Sequence, residues 1–533
     1  MNEMKKISEL FDRPAVTDPE LIPLIPNQEL YVRYSIFEKD NGYCNMAAGM
    51  RIFGDVDIEL LNKSIELLIE RHDIFRVMIA ERNGVYYQRI LKEYPYKIEA
   101  VDAVGDTKEE RFADAYKKAY KFNEEHIDIF KTVLWRMKLY RIDNDEYLFF
   151  INMQHAIMDG STEVMAIVTL GKYYEMLKKG ITPPESEYIS HREFTEREYS
   201  YADTDEGKMH LAYYDKIMEG YKRPDMTVLY GDEDVNLCDT PLFLNKDILG
   251  VFFKKYRQST FNGFMLCYHL ALEKILGVDD ITVGITNANR MTKEHRGTLG
   301  RVSHIVPNRF KGDSEALLTD LVAEMNDNIN EGMKHQKCSP YTDIDFAVSY
   351  ASGIGNNAAP TFLGHKAQSV GFMNKRDVDI LFIVAYDREP GIIAYFIGGS
   401  RYFDPVKMNI CKMMIKQCFY QLNNESSIKA GELLCSPMFI ENKISVSDDG
   451  CEIKLDKRTA DDEFVEMLKG EKLYLKRCDG EEFDNSKINI TLEEKDSDMS
   501  LIISGLNGIE RGYYDICLSH NGRSWLVDSI SVE

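Results

Sequence analysis

The sequence predicts an α/β chain of two lobes joined by a polar crossover and followed by a small all-β, sandwich-like domain. Three observations carry this. Up to about residue 435, apolar runs of strand length alternate with amphipathic helical stretches. A charged stretch at 181–245, bearing Pro183 and Pro184, divides them. After Ser436 the pattern changes to short alternating runs separated by Asp-Gly and Asn-Gly turn signals. The 533 residues suit three or four folding units at ~150 residues each. The expected boundaries are a first lobe at 1–180, a crossover at 181–245, a second lobe at 246–435 and a β domain at 436–533.

Asp57 to Arg76 reads as an amphipathic helix. Leu60, Leu61, Ile65, Leu67, Leu68 and Ile74 recur at near-helical spacing, and Asp57 can cap it. Val85 to Ile90 reads as a strand. So does Val133 to Ile142, where Val133, Trp135, Met137 and Leu139 recur with period two. Glu146 to Gln154 is nearly continuous in apolar residues, as a central strand requires. Ser161 to Lys179 is helical and meets Gly180 as a stop. One helix is expected in the crossover, at His210 to Met218. In the second lobe, Thr260 to Leu276 is an apolar helix closed by Gly277. Asp280 to Thr286, Asp379 to Tyr386 and Ile392 to Ile397 are strands, and Asp404 to Leu422 is a long helix. Lys443 to Val446, Lys472 to Lys476, Lys487 to Leu492, Ser500 to Ile503 and Tyr514 to Ser519 are the β-domain strands.

Hydrophobic residues make up 44% and charged residues 29%, which excludes wholesale disorder. The formal charge is −23, against the basic face that nucleic-acid binding needs. From Glu441 to Glu533, 12 basic and 22 acidic residues leave −10, a density that marks the tail as a separate unit. No apolar run approaches the ~20 residues of a membrane helix. The opening MNEMKKISELFDRP lacks the apolar core of a secretion signal, so a cytoplasmic chain is expected. The ten cysteines form no CxxC pair and no zinc-ligand spacing, as in a reducing compartment. No metal is expected.

The chemistry is expected in Gln154-His155-Ala156-Ile157-Met158-Asp159-Gly160-Ser161, where a buried strand ends and a helix begins. A histidine there has a fixed backbone and an unperturbed pKa near ~6.5, so it can accept a proton near neutrality. Gly160 lets the chain turn into the helix. The helix N-terminus offers unpaired N–H groups and partial positive charge, suited to an oxyanion on a carbonyl. Asp159 suits a loop-holding pair with an arginine. A histidine at a strand end is also a common structural residue, so the neighbouring segments decide.

Those segments resemble the condensation domains of nonribosomal peptide synthetases and, more broadly, the chloramphenicol-acetyltransferase-like acyltransferases, whose signature is HHxxxDG. Pro23-Leu24-Ile25-Pro26-Asn27-Gln28 resembles the family's opening segment, and Arg71-His72-Asp73-Ile74-Phe75-Arg76 resembles RHExLR. Tyr213 to Gly220 resembles the YWxxxLxG helix. Asp280 to Gly284, Asn289-Arg290 and Gly300 to Arg309 resemble DxxxG, NR and GxFxNxxPLR, and Phe403-Asp404 opens the closing helix. The resemblance spans about residues 20–425. The chain departs from it at Gln154 (the first His of the pair), at Ser161 (the aromatic after the Gly) and at His304 (the usual Asn).

The resemblance implies two chloramphenicol-acetyltransferase-like lobes in a V, with a tunnel between them and catalytic His155 at its middle. A thioester-bound acyl donor would meet an amine or hydroxyl acceptor there. Gly160 N–H is the oxyanion candidate. Arg76, or else Arg71, is the expected partner of Asp159. Gln154, Ser161 and His304 are candidate tunnel-lining residues. No tightly bound cofactor is implied. The donor would ride on the phosphopantetheine of an acyl or peptidyl carrier protein acting in trans, or on coenzyme A. Lys254, Lys255 and Arg257 form a short basic run that could dock an acidic carrier or simply be solvated. His520 and Trp525 lie in the β domain, Trp525 as core or as an exposed binding aromatic. The leading expectation is amide formation. An acyl-CoA-dependent alcohol O-acyltransferase and an inactive recruitment domain are the alternatives.

Overall fold

The computed structural model describes residues 20–37, 42, 44–231, 241–337, 344–352, 361–372, 381–388, 391–398, 403–424, 428–433, 438–439, 443–444, 450–456, 462–477, 483–495, 498–507, 509–510, 512–520 and 523–532. The opening MNEMKKISELFDRP, residues 379–380 and 445–446 of two expected strands, and the Asn521-Gly522 turn lie outside them.

The first lobe is built on Glu146–Gln154, a strand buried at every position. It pairs antiparallel with Asn45–Phe53 on one edge and Trp135–Asp143 on the other. Alternate side chains therefore enter two cores. Phe149, Ile151 and Met153 pack with Leu61, Ile65 and Leu170. Leu148 and Phe150 pack with Ala115 and Ala119. With both faces covered, the strand has no polar side to display, hence its nearly continuous apolar pattern.

The helix expected to Arg76 stops at Arg71. Asp57 caps it, accepting from Leu60 N at 3.0 Å, and a 3₁₀ turn follows at Asp73–Arg76. Among the described residues the crossover holds two α-helices, His191–Tyr201 and Asp205–Met218, where one was expected.

The second lobe carries a mixed six-stranded sheet in the order 304–311, 280–287, 346–352, 381–388, 391–397, 242–245. Its helix Thr260–Leu276 has the expected bounds because both ends carry their own signals. The Ser259 side chain accepts from Asn262 N, and Gly277 adopts φ 67°, a left-handed conformation glycine takes without strain.

Two expected boundaries move. Strand Leu242–Asn245 joins the second sheet ahead of residue 246. Strand His365–Phe372, inside the stretch assigned to the second lobe, instead pairs antiparallel with Asn45–Phe53 of the first. Packing explains this crossing. Phe372 stacks on Tyr116 with centroids 4.9 Å apart, and Phe362 lies against Phe149 at 5.2 Å. Gly49 makes room for it, since a Cβ there would come within 2.7 Å of the Phe372 ring.

Among the described residues the C-terminal region has two four-stranded sheets, 438–439/450–456/498–504/489–495 and 443–444/523–532/512–520/473–477, plus one α-helix at Asp462–Gly470. Trp525 belongs to its core, which decides against the exposed binding aromatic. The acidic tail does not stand apart from the second lobe. Cys517 and Leu526 enter that lobe's apolar core. Beneath them Lys416, on the helix Pro405–Asn424, pairs with Asp515 at 1% and 0% side-chain exposure. Ser529 Oγ and Tyr420 OH donate to the same carboxylate at 2.8 and 2.9 Å.

Candidate active site

The strand Glu146–Gln154 delivers His155 to the junction of the lobes, and the bend after it is held by named bonds. His155 N donates to Cys44 O at 2.7 Å, and Gln28 Nε2 donates to Ala156 O at 3.0 Å. The Gln154 amide accepts from Ala156 N and donates to Tyr31 O at 3.3 Å. Gln154 is therefore a staple of the loop, not an open tunnel wall: it is 1% exposed, with both ends of its amide engaged.

The His155 ring is buried, with Nδ1 2.7 Å from Met158 O. A carbonyl only accepts, so Nδ1 carries the hydrogen and Nε2 holds the lone pair in the neutral ring. Tyr31 lies against the imidazole, ring centroids 4.2 Å apart. Sequence reasoning missed Tyr31, whose spacing sets it apart from no other aromatic of its helix.

Asp159 caps the helix Gly160–Lys178 and is bound from both lobes. Its Oδ1 accepts from Thr162 N at 2.8 Å and Arg290 Nη2 at 3.1 Å. Its Oδ2 accepts from Arg290 Nη1 at 2.9 Å, Val302 N at 3.0 Å and Ser303 N at 2.9 Å. Burial alone would push this carboxyl up. The Arg290 guanidinium and the N–H donors outweigh it and hold it below its ordinary range.

The expected partner of Asp159 was Arg76, or else Arg71; neither fills that place. Arg76 donates to Leu91 O at 3.0 Å and to the carbonyls of Ile69 and Glu70, capping the end of the preceding helix. Arg71 binds the carbonyls of Pro183 and Pro184. The resemblance singles out Asn289-Arg290, and that was the signal for the partner found.

Gly160 is the first residue of its helix and is exposed, with no heavy atom within 4 Å of where a Cβ would lie. Its φ is not positive, so open space rather than backbone freedom distinguishes the glycine. Asp159 takes the N–H groups of Thr162 and Glu163. That leaves Gly160 and Ser161 as the donors of the first turn not engaged by Asp159. His304 begins its strand, with Nε2 2.6 Å from Asn289 Nδ2 and 3.1 Å from Glu198 Oε2. It is buried in that polar group rather than lining open space.

Among the described residues no group of three His, Cys, Asp or Glu is arranged to hold a metal, and no helix is long and apolar enough to cross a membrane. In the neutral ring the lone pair of His155 sits on Nε2, and His155 lies in the loop that leads into the helix Gly160–Lys178.

Comparison with known proteins matches residues 19–349 to the Condensation domain family. Bacitracin synthase 1 of Bacillus licheniformis is 23% identical over 323 residues, covering 59% of this chain and 6% of the relative. Surfactin synthase subunit 1 of Bacillus subtilis (strain 168) is 23% identical over 312 residues, covering 57% and 8%. The chain thus spans only a small part of the length of these relatives. Among solved structures, the starter condensation domain of rhizomide synthetase in complex with C8-CoA superposes with a TM-score of 0.63 at 16% identity, over 77% of this chain and 96% of the other. The X-domain from teicoplanin biosynthesis gives 0.68 at 13% identity, over 79% and 98%.

Proposed function

The chain belongs to the condensation-domain family, and from that premise we propose an acyltransferase that joins a thioester-bound acyl donor to an amine acceptor. His155 takes the acceptor's proton. One observation carries the reading: the Nδ1–H bond to Met158 O puts the lone pair of the neutral His155 ring on Nε2.

The acceptor nitrogen attacks the thioester carbonyl carbon and a C–N bond forms. The carbonyl oxygen becomes an oxyanion that the Gly160 and Ser161 N–H groups can receive. His155 Nε2 takes the proton the nitrogen must lose, the C–S bond breaks, and the proton passes to the departing thiolate. Holding both reactants in the junction supplies much of the rate. Asp159 and Arg290 position the loop; they do not touch the reacting atoms.

The donor arrives on the phosphopantetheine of a carrier protein acting in trans, or on coenzyme A. The C8-CoA complex of the rhizomide starter domain supports trying acyl-CoA first. The test is intact-mass detection of acyl transfer from acyl-CoA and acyl-carrier panels to mixed amines and alcohols, with His155→Ala as control. An amide product lost in the variant supports the reading. An ester product moves it to O-acyl transfer. No product, with carrier binding equal in both proteins, moves it to a recruitment domain.

A further inference from the structure

Among the described residues Arg301 is a buried cation without a counter-ion. It is 5% exposed, and among the described residues its one hydrogen bond joins Nη1 to Ser303 Oγ at 3.3 Å. Its Nε has no partner. No carboxylate among the described residues lies within ion-pair distance. Asp159, the acid that senses it, is already saturated by Arg290, Thr162, Val302 and Ser303. A desolvated guanidinium held by one neutral hydroxyl is costly, and the cost is relieved by an anion brought from outside.

The place of Arg301 says which anion. Its guanidinium carbon lies 5.0 Å from the Tyr31 ring centroid, and that ring lies 4.2 Å from the His155 ring, so together these cap the separation near 9 Å. A pantetheine arm extended through the junction places its phosphate well beyond this distance from its thioester. A carboxylate a few bonds from the reacting centre fits, and a guanidinium binds one through paired N–H groups.

Resting on the acyltransfer reading, we propose that Arg301 binds a substrate carboxylate close to the reacting centre. The carboxylate belongs to the acceptor, as in an amino acid whose carboxyl is not tied in a thioester, or to the acyl group, as in a dicarboxylic half-thioester.

The test uses matched pairs that differ only in that charge. Pooled amino acids are compared with the corresponding amino-acid amides as acceptors, and succinyl-CoA with butyryl-CoA as donors. Transfer is read by intact mass and binding by calorimetry, in wild type, Arg301→Gln and Arg301→Lys. Wild type should favour the charged member of one pair by about tenfold or more. Arg301→Gln should bring that pair to parity, and Arg301→Lys should retain part of the preference. The responding pair identifies the source of the carboxylate. Melting temperature guards against a trivial loss: relieved of an unpaired buried charge, Arg301→Gln should melt no lower than wild type. Equal handling of both members of both pairs by wild type overturns the proposal. So does a preference that survives in Arg301→Gln, or a lower melting temperature with unchanged discrimination. Absence of transfer, with carboxylate binding still dependent on Arg301, would refute the acyltransfer reading and leave the anion site standing.

Discussion

Asp159 and Arg290 meet across the junction of the two lobes, 131 positions apart, with nitrogen–oxygen distances of 2.9 and 3.1 Å. Both are almost fully buried, and Thr162 Oγ1 joins them by accepting from Arg290 at 2.8 Å and donating to Gly300 O at 2.6 Å. The loop that carries His155 is therefore fixed by the second lobe as well as by its own strand.

Asp159→Asn leaves the shape and removes the charge, stranding a buried guanidinium. Breaking such a pair costs about 3–5 kcal/mol. Asp159 is held below its ordinary carboxylate value, so its contribution is present above the unfolded pKa and lost as pH falls through the folded one. Wild type should thus lose stability on acidification below about pH 4. Asp159→Asn should be less stable at neutral pH and show a shallower acid limb, read from thermal melts between neutral and acid pH.

Lys416→Met strands Asp515 beneath the C-terminal sheets, where Ser529 and Tyr420 converge on the same carboxylate. A loss of about 3–5 kcal/mol is expected. Lys416→Met combined with Asp515→Leu should recover most of it, because an apolar pair of similar volume needs no desolvation. Limited proteolysis checks this: cleavage after residue 436 should rise in the single variant and fall back in the double.

Glu273, on the helix Thr260–Leu276, has its carboxyl pushed up to about 8 by burial and then by Asp279, and its Oε1 lacks a partner. The proton is held more tightly in the folded state. Stability from this group is full below the ordinary carboxylate range and is lost as pH rises toward 8. Glu273→Gln should flatten that decline and be more stable than wild type at pH 9 by about 1–3 kcal/mol, seen in melts across pH 5–9.

Much of this was legible in the sequence where a residue signals locally. Ser259 and Gly277 mark both ends of their helix, and the nearly continuous apolar run Glu146–Gln154 marks a strand covered on both faces. The site motif was placed correctly at a strand end and a helix start. Pairings decided by distant parts of the chain were not legible. Nothing in HKAQSVGF shows that it adds to the first sheet, since that depends on Gly49 and Tyr116. Arg76 was the expected partner of Asp159; the fold turns it toward a helix end and turns Arg290 toward the carboxylate. Arg301 went unnoticed because a surface arginine and an unpaired buried one look the same in sequence.

The central claim is that His155 Nε2 takes a proton during acyl transfer. The most direct measurement is the single-turnover rate of thioester consumption with a productive donor and acceptor, in wild type and in a folded His155→Ala variant of similar melting temperature. A fall of roughly 10²–10⁴-fold is expected from removing a positioned acid–base group. A variant that consumes the thioester at the wild-type rate would contradict the claim.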